Sequence, residues 1–216
     1  MPVLVQRPEL LPLAAGGLAW LLIVGGFAGH GAAAGHLAHG RSILVMVVAT
    51  MGLYAIPLVR TAAFTAQWWD APRAVAIAFG AFLGTWFTAA LGLHPIAELL
   101  AASFSSPDVA ALLMVAYALT ALGSRRARLL LTCCRPVRTG RDSIESAEMV
   151  SARFGAVAAL RCAQLCLLPM LTMLLVPVFW VMAALTALGL AERFGAPGGR
   201  VKIALAYGAL SLALLV

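Results

Sequence analysis

The stretch RCAQLCLLPMLTMLLVPVFWVMAALTALGL, residues 161–190, decides the fold class of this chain. It carries no charged residue after Arg161, and it is longer than the roughly 20 apolar residues with which a helix crosses a bilayer. Pro169 and Pro177 each remove a backbone donor, so the sequence predicts one long helix here, kinked and tilted in the membrane. Such a segment is typical of helical membrane proteins.

The composition extends this prediction to the whole chain. Of its 216 residues, 63% are hydrophobic and 11% are charged, whereas soluble domains carry about 25% charged residues. So few charges cannot cover a surface that faces water. We therefore predict an integral membrane protein with a single transmembrane domain over residues 1–216.

Six apolar stretches predict about six transmembrane helices, packed as an all-α bundle. The alternation of apolar and polar residues that marks membrane β-strands is missing from the sequence. The stretches cover residues 10–28, 42–59, 74–93, 108–123, 163–190 and 201–216.

Basic residues predict the orientation of the bundle. Ten arginines lie on one side of it, seven of them in the polar segment 124–155, and four basic residues lie on the other side. By the positive-inside rule, that segment and both termini lie in the cytoplasm. Its first part is either a basic amphipathic helix on the inner leaflet or a solvated connector. We attribute the net charge of +7 to topology and to contact with the lipid bilayer, and expect no nucleic-acid partner.

Sulfur-bearing side chains share a narrow face of the fifth stretch. At 100° per residue, Cys166, Met170 and Met173 lie about 40°, 80° and 20° from Cys162. Thiolate and thioether ligands select Cu(I) or zinc. Cys134, in the predicted cytoplasmic segment, can approach the same membrane boundary, although palmitoylation is another role for it. The pattern fits a copper or zinc site, and it also fits a helix whose sulfur atoms only pack.

A second candidate site lies on the opposite side, in GHGAAAGHLAHG at residues 29–40. Imidazole is a ligand for copper and zinc, and His36 and His39 have a spacing at which two side chains can share an ion. The segment is rich in glycine and alanine, so it imposes little geometry. A flexible polar loop is the alternative.

Catalysis is not predicted. The sequence has no phosphate-binding loop, nucleophile elbow or H-E-x-x-H motif. Asp70, Glu98, Asp108 and Glu192 lie at the ends of predicted spans, whereas a proton-coupled transporter usually carries an ionisable group near the middle of the membrane. The sequence therefore disfavours an enzyme and a proton-coupled transporter.

Three blocks of the sequence carry a family resemblance. They are HGRSILVMVVATMGLYAIPLVR at residues 39–60, YALTALGSRRARLLLTCCRPV at 117–137 and RCAQLCLLPMLTMLLVPVFWVMAALTALGLAERF at 161–194. In order and spacing they resemble a bacterial family of uncharacterised integral membrane proteins that are predicted to bind metal.

The third block of that family contains a Cys-x-Gly-Cys-Cys-Trp motif, of which this chain keeps two of the three cysteines. The residues that match the family across the three blocks are Met46, Met51, Tyr117, Cys134, Arg135, Cys162, Cys166 and Met170. Glu192 and Arg193 stand for the Glu-Lys pair with which the family's third block ends. The residues that depart from it are Thr50, Ala118, Arg128, Gln164, Leu165 and Leu167.

The resemblance implies a multi-pass protein of the bacterial inner membrane that handles a soft metal or helps to assemble a metalloenzyme. Copper as Cu(I) is the first expected ion and zinc the second. The implied ligands are Cys134, Cys162, Cys166, Met170, His36 and His39. The alternative is a non-catalytic structural or accessory subunit of a larger membrane complex that has lost the metal site.

Overall fold

The computed structural model describes residues 7–25, 36–66, 70–123, 126, 129, 146–194 and 200–215. Within these ranges the secondary structure is helical and contains no strand, which confirms the all-α class. The helices are α1 (Leu10–Val24), α2 (His36–Tyr54), α3 (Ile56–Thr65), α4 (Ala71–Ser103), α5 (Ser106–Ala121), α6 (Ala147–Leu175), α7 (Phe179–Phe194) and α8 (Arg200–Ala213).

Two of these helices, α4 and α6, are long and apolar enough to cross a membrane, with 33 and 29 residues. Together, α2 and α3 are also long and apolar enough to cross a membrane if they are taken as one broken span with a 62° bend. Three shorter apolar helices cover Leu10–Val24, Ser106–Ala121 and Val201–Ala213. Among the described residues, length and composition therefore establish two or three candidate spans, and six spans stay a prediction.

The fifth apolar stretch forms two helices, and the prediction of one kinked helix is wrong. α6 passes through Pro169 and ends at Leu175, and Pro177 lies in the break before α7. Proline removes a donor and disfavours helical backbone in the residue before it, so a break at Pro177 follows from local sterics. α6 also begins before the fifth apolar stretch, at Ala147, so the last residues of the polar segment 124–155 are helical.

The bend between α2 and α3 has a similar cause. α2 ends at Tyr54, and α3 begins immediately after Ala55 with Pro57 in its first turn. Proline fits the first turn of a helix, where its missing N–H has no intrahelical acceptor, but it cannot continue α2. The chain therefore turns at Ala55 and starts a new helix.

The residues cluster into two compact units. The first contains residues 1–89 and 133–162, and the second contains residues 90–132 and 163–216. In the first unit, α1 packs on α2 where two glycines face each other. A Cβ atom added at Gly52 would lie 3.9 Å from the Cα atom of Gly16, so the small residues allow the two backbones to approach.

Gly155 of α6 makes the closest backbone approach that the described glycines of the first unit show. A Cβ atom added there would lie 2.9 Å from the carbonyl carbon of Ala78 in α4, and closer still to the carbonyl oxygen. Backbone atoms cannot move aside as a flexible side chain can. This crossing therefore depends on the absence of a side chain at Gly155.

In the second unit, α8 packs against α5 and α7. The rings of Tyr117 in α5 and Tyr207 in α8 meet edge to face, with their centroids 4.6 Å apart. Elsewhere in this unit Ala97, Leu171 and Leu175 form a buried apolar cluster between α4 and α6. These contacts hold the part of α6 that follows Cys162 among its neighbours.

Candidate metal centre

The sulfur face of α6, defined here as Cys162, Cys166 and Met170, is buried. The three side chains are 1%, 8% and 0% exposed, and Met173, one turn further on, is 2% exposed. Because α6 is a continuous helix here, residues four apart lie above one another on one face. The two cysteines are not joined to each other by a disulfide. The sulfur face is therefore covered by protein rather than by lipid.

The other predicted ligands cannot be placed. His36 and His39 belong to the first turn of α2, but their side chains lie outside the described residues, as does Cys134. Within the described ranges, no three His, Cys, Asp or Glu side chains come together as metal ligands do. A site on the sulfur face therefore needs a methionine thioether, or donors from beyond the described ranges.

The donors of the sulfur face fit a soft ion. Side chains four residues apart on a helix have Cβ atoms about 5–6 Å apart, and a thiolate binds zinc at about 2.3 Å. The sulfur atoms of Cys162 and Cys166 can therefore reach one ion by rotation of their side chains. Thioether sulfur adds a third soft donor at Met170, a combination that favours Cu(I) over hard ions such as Mg²⁺.

A buried ion pair lies in the second unit and was not predicted from the sequence. The Nε and Nη2 atoms of Arg126 donate to the two carboxylate oxygens of Glu192, at 2.5 and 2.7 Å. The two side chains are 7% and 9% exposed. Parallel bonds from one guanidinium to one carboxylate combine charge with fixed geometry. The pair therefore joins the chain just after α5 to the end of α7.

Two further side chains complete this polar cluster, which we define as Arg126, Glu192, Tyr117 and Thr120. Arg126 donates through Nη2 to the hydroxyl of Tyr117 and through Nη1 to Oγ1 of Thr120, the latter at 3.1 Å. Its guanidinium carbon also lies 3.9 Å from the centroid of the Tyr117 ring. Burial alone would lower the pKa of Arg126, but the bonds with Glu192 and Tyr117 raise that pKa above its ordinary value. Arg126 is therefore a permanent buried cation.

The polar cluster lies near one thiol of the sulfur face. Tyr117, Thr120 and Arg126 line the same space as Leu165 and Leu167, the residues before and after Cys166 in α6. Glu192 lies on α7 and Tyr207 lies on α8, so these two helices also border the polar cluster. Four helices of the second unit, α5 to α8, thus converge beside Cys166.

A signal for this cluster was present in the sequence. Tyr117 matches the second block of the family resemblance, and Cys166 and Glu192 match the third. From the sequence alone, Glu192 lies at the end of a predicted span, and Arg126 is one of the arginines that predict the orientation of the bundle. Neither position indicates a buried ion pair. What the sequence alone does not supply is that these separate positions meet in space.

Comparison with known proteins identifies the family. A model of the PpoB2 family, described as a copper chaperone, matches residues 43–216. No curated protein and no solved structure matches the chain. The match confirms the expectation of a metal-handling family, whereas the Cys-x-Gly-Cys-Cys-Trp motif remains a resemblance. Because the match includes α3 to α8 entire and most of α2, the chain belongs to the PpoB2 copper chaperone family.

Proposed function

We propose that this chain is a membrane copper chaperone that holds Cu(I) on the sulfur face of α6 and passes it to a metalloenzyme in the same membrane. The observation that carries the proposal is the burial of Cys162, Cys166 and Met170 along one face of a candidate span. Membership of a copper chaperone family supports copper as the cargo.

The chemistry of the sulfur face suits storage and transfer rather than turnover. Cu(I) binds as cargo to thiolate and thioether sulfur, and a thiol must release its proton to become a ligand. An ion moves between two such sites by exchange of one sulfur ligand for another: the incoming thiol gives up its proton, the displaced sulfur can take one up, and no covalent bond of a substrate is made or broken. The proposed role is therefore non-catalytic.

The remaining predicted ligands have supporting roles in this proposal. Cys134 belongs to the polar segment on the proposed cytoplasmic side, where it would deliver copper to the sulfur face or complete its coordination. His36 and His39 belong to the proposed outer side and would take part in release. The proposal places the chain in the bacterial inner membrane with six spans and both termini in the cytoplasm.

Copper content of the purified protein tests the proposal. Wild type and a Cys162→Ser/Cys166→Ser variant are loaded with Cu(I) under reducing conditions, and copper per chain is measured by mass spectrometry after removal of unbound ion. We expect about one ion per wild-type chain and almost none in the variant, since a hydroxyl is a poor ligand for Cu(I). Circular dichroism checks that both proteins are helical.

A second variant pair separates the site from general loss of sulfur. Met170 is buried and Met149 is 58% exposed on the same helix. Met170→Leu is expected to weaken copper binding, and Met149→Leu to leave it unchanged. Equal copper in wild type and the double-cysteine variant would overturn the proposal and favour an accessory subunit without a metal site.

A further inference from the structure

A cavity of about 510 Å³ opens beside the polar cluster in the second unit. Its volume lies within the range of about 300–1,000 Å³ that is usual for ligand sites. Arg126, Thr120 and Gln164 provide polar lining, and Leu129, Leu167 and Leu168 provide apolar lining. The cavity is therefore amphipathic, with hydrogen-bonding groups and hydrocarbon walls in one space.

Arg126 keeps hydrogen-bonding capacity at this cavity. A guanidinium group has five N–H donors, and four of them are engaged by Glu192, Tyr117 and Thr120. Within the described part of the chain, this leaves one donor on Nη1. A ligand oxygen can therefore bind to Arg126 while the ion pair with Glu192 stays intact.

Gln164 points to a polar occupant independently of Arg126. It is an exposed residue on α6, a candidate membrane span, and its side chain lines the cavity. An amide that faces hydrocarbon without a hydrogen-bond partner is strongly disfavoured. Within the residues that the structure describes, no hydrogen bond of the Gln164 amide is recorded, so a ligand oxygen in the cavity would satisfy it.

The apolar walls decide which kind of molecule brings that oxygen. Leu167 is 43% exposed, so the cavity is continuous with the outer surface of α6. A small hydrophilic ligand would leave Leu129, Leu167 and Leu168 without apolar contact, whereas an acyl chain would cover them. The occupant is therefore an amphiphile whose polar group has oxygen acceptors.

We propose that this cavity binds a membrane phospholipid through its phosphodiester group. Arg126 and Gln164 donate to the phosphate oxygens, and one acyl chain lies along the three leucines. Charged acceptors make the stronger hydrogen bonds, and basic pockets between membrane helices commonly hold anionic head groups. The net charge of +7 also favours an anionic lipid. The described residues that line the cavity include none of the proposed copper ligands, so this proposal does not rest on copper binding.

Binding of defined lipids to the delipidated full chain tests the proposal. Native mass spectrometry in maltoside detergent compares three probes, namely phosphatidylglycerol, diacylglycerol with the same acyl chains, and inorganic phosphate. We expect retention of one phosphatidylglycerol per chain and no comparable binding of the other two. Tight diacylglycerol binding would show that the phosphate is not recognised, and binding of inorganic phosphate alone would show a site for the free anion. Either result overturns the proposal.

Variants then locate the lipid. Gln164→Leu removes the amide, and Leu168→Trp fills the cavity, while both leave Arg126 and Glu192 in place. Gln164→Leu is expected to weaken phosphatidylglycerol binding about tenfold or more, as loss of a hydrogen bond to a charged group does. Leu168→Trp is expected to weaken it at least as much, because the indole takes the place of the acyl chain. Leu160→Trp, at a position on the same helix that is 59% exposed and outside the cavity lining, is the matched control. Equal affinity in wild type and both cavity variants would refute the location.

Discussion

The ion pair between Arg126 and Glu192 leads to the sharpest prediction about stability. Glu192→Gln keeps the size of the side chain and one oxygen acceptor, but it removes the negative charge. The Nη2 donor that now faces a carboxylate oxygen at 2.7 Å would face either a neutral oxygen or an amide NH₂ group. Arg126 would remain a buried cation without its counter-charge.

The size of the effect follows from burial. The two side chains are 7% and 9% exposed, and removing one partner of a buried pair typically costs about 3–5 kcal/mol. Because the Glu192→Gln side chain keeps one acceptor, and Tyr117 and Thr120 still accept from Arg126, we expect the lower end of that range, about 3 kcal/mol. For chains of 150–250 residues this corresponds to a fall in melting temperature of about 6–12 °C.

Thermal unfolding in detergent measures this change, and a second pair in the chain provides the control. Arg73 and Glu148 also form an ion pair, but their side chains are 69% and 49% exposed. Exposed pairs contribute about 0–1 kcal/mol, so Glu148→Gln is expected to shift the melting temperature by less than about 4 °C. The same substitution is thus expected to have two different outcomes, because one pair is buried and doubly hydrogen-bonded and the other is exposed.

A double variant tests the reasoning from the other direction. In Arg126→Met/Glu192→Leu no buried charge is left unpaired, and replacement of buried pairs by apolar side chains is often neutral or stabilising. We expect the double variant to be more stable than Glu192→Gln. If Glu192→Gln and Glu148→Gln lower the melting temperature equally, or if the double variant is the least stable of all, the assignment of a stabilising buried pair is wrong.

Three further predictions concern packing, copper binding and topology. Gly155→Ala is expected to destabilise the protein by about 1–3 kcal/mol in a denaturation assay, because its Cβ would meet the backbone of Ala78. Gly80→Ala is the control: it has open space around the new Cβ and is expected to be neutral or stabilising. Equal effects of the two substitutions would contradict the close crossing at Gly155. Met170→Leu is expected to cost less than about 1.5 kcal/mol because it conserves volume, so reduced copper in a folded variant would identify a ligand, and unchanged copper would exclude one. A reporter that is active only in the cytoplasm is expected to be active when it is fused to either terminus. Activity of a periplasmic reporter at either terminus would refute the predicted orientation.

The sequence predicted the helices well because apolar length and helix type are local properties. The stretches 10–28 and 74–93 each lie largely within one helix, α1 and α4. The prediction of one helix over the stretch 163–190 is wrong, because hydropathy reflects the length of the apolar run and not the break at Pro177. That break depends on local backbone sterics. The charges of residues 147–155 interrupt the apolar pattern, so hydropathy does not locate the start of α6 at Ala147.

The candidate site also has one part that the sequence predicts and one part that it does not. The shared face of Cys162, Cys166 and Met170 follows from the helical repeat, and the structure adds that this face is buried. The bond between Arg126 and Glu192 joins residues 66 positions apart. No local pattern predicts such a pairing, because it arises only when α5 and α7 both pack against α8 in the second unit.

Burial of the sulfur atoms also bears on how the protein survives peroxide. Oxidation of thiols to sulfenic acids and of thioethers to sulfoxides follows exposure. Met46, Met51, Met114, Met170, Met173 and Met182 are all buried, whereas Met149 is 58% exposed. Among the described methionines, Met149 should therefore be converted to the sulfoxide first by peroxide, while Cys162, Cys166 and Met170 are shielded from the oxidants with which copper itself reacts.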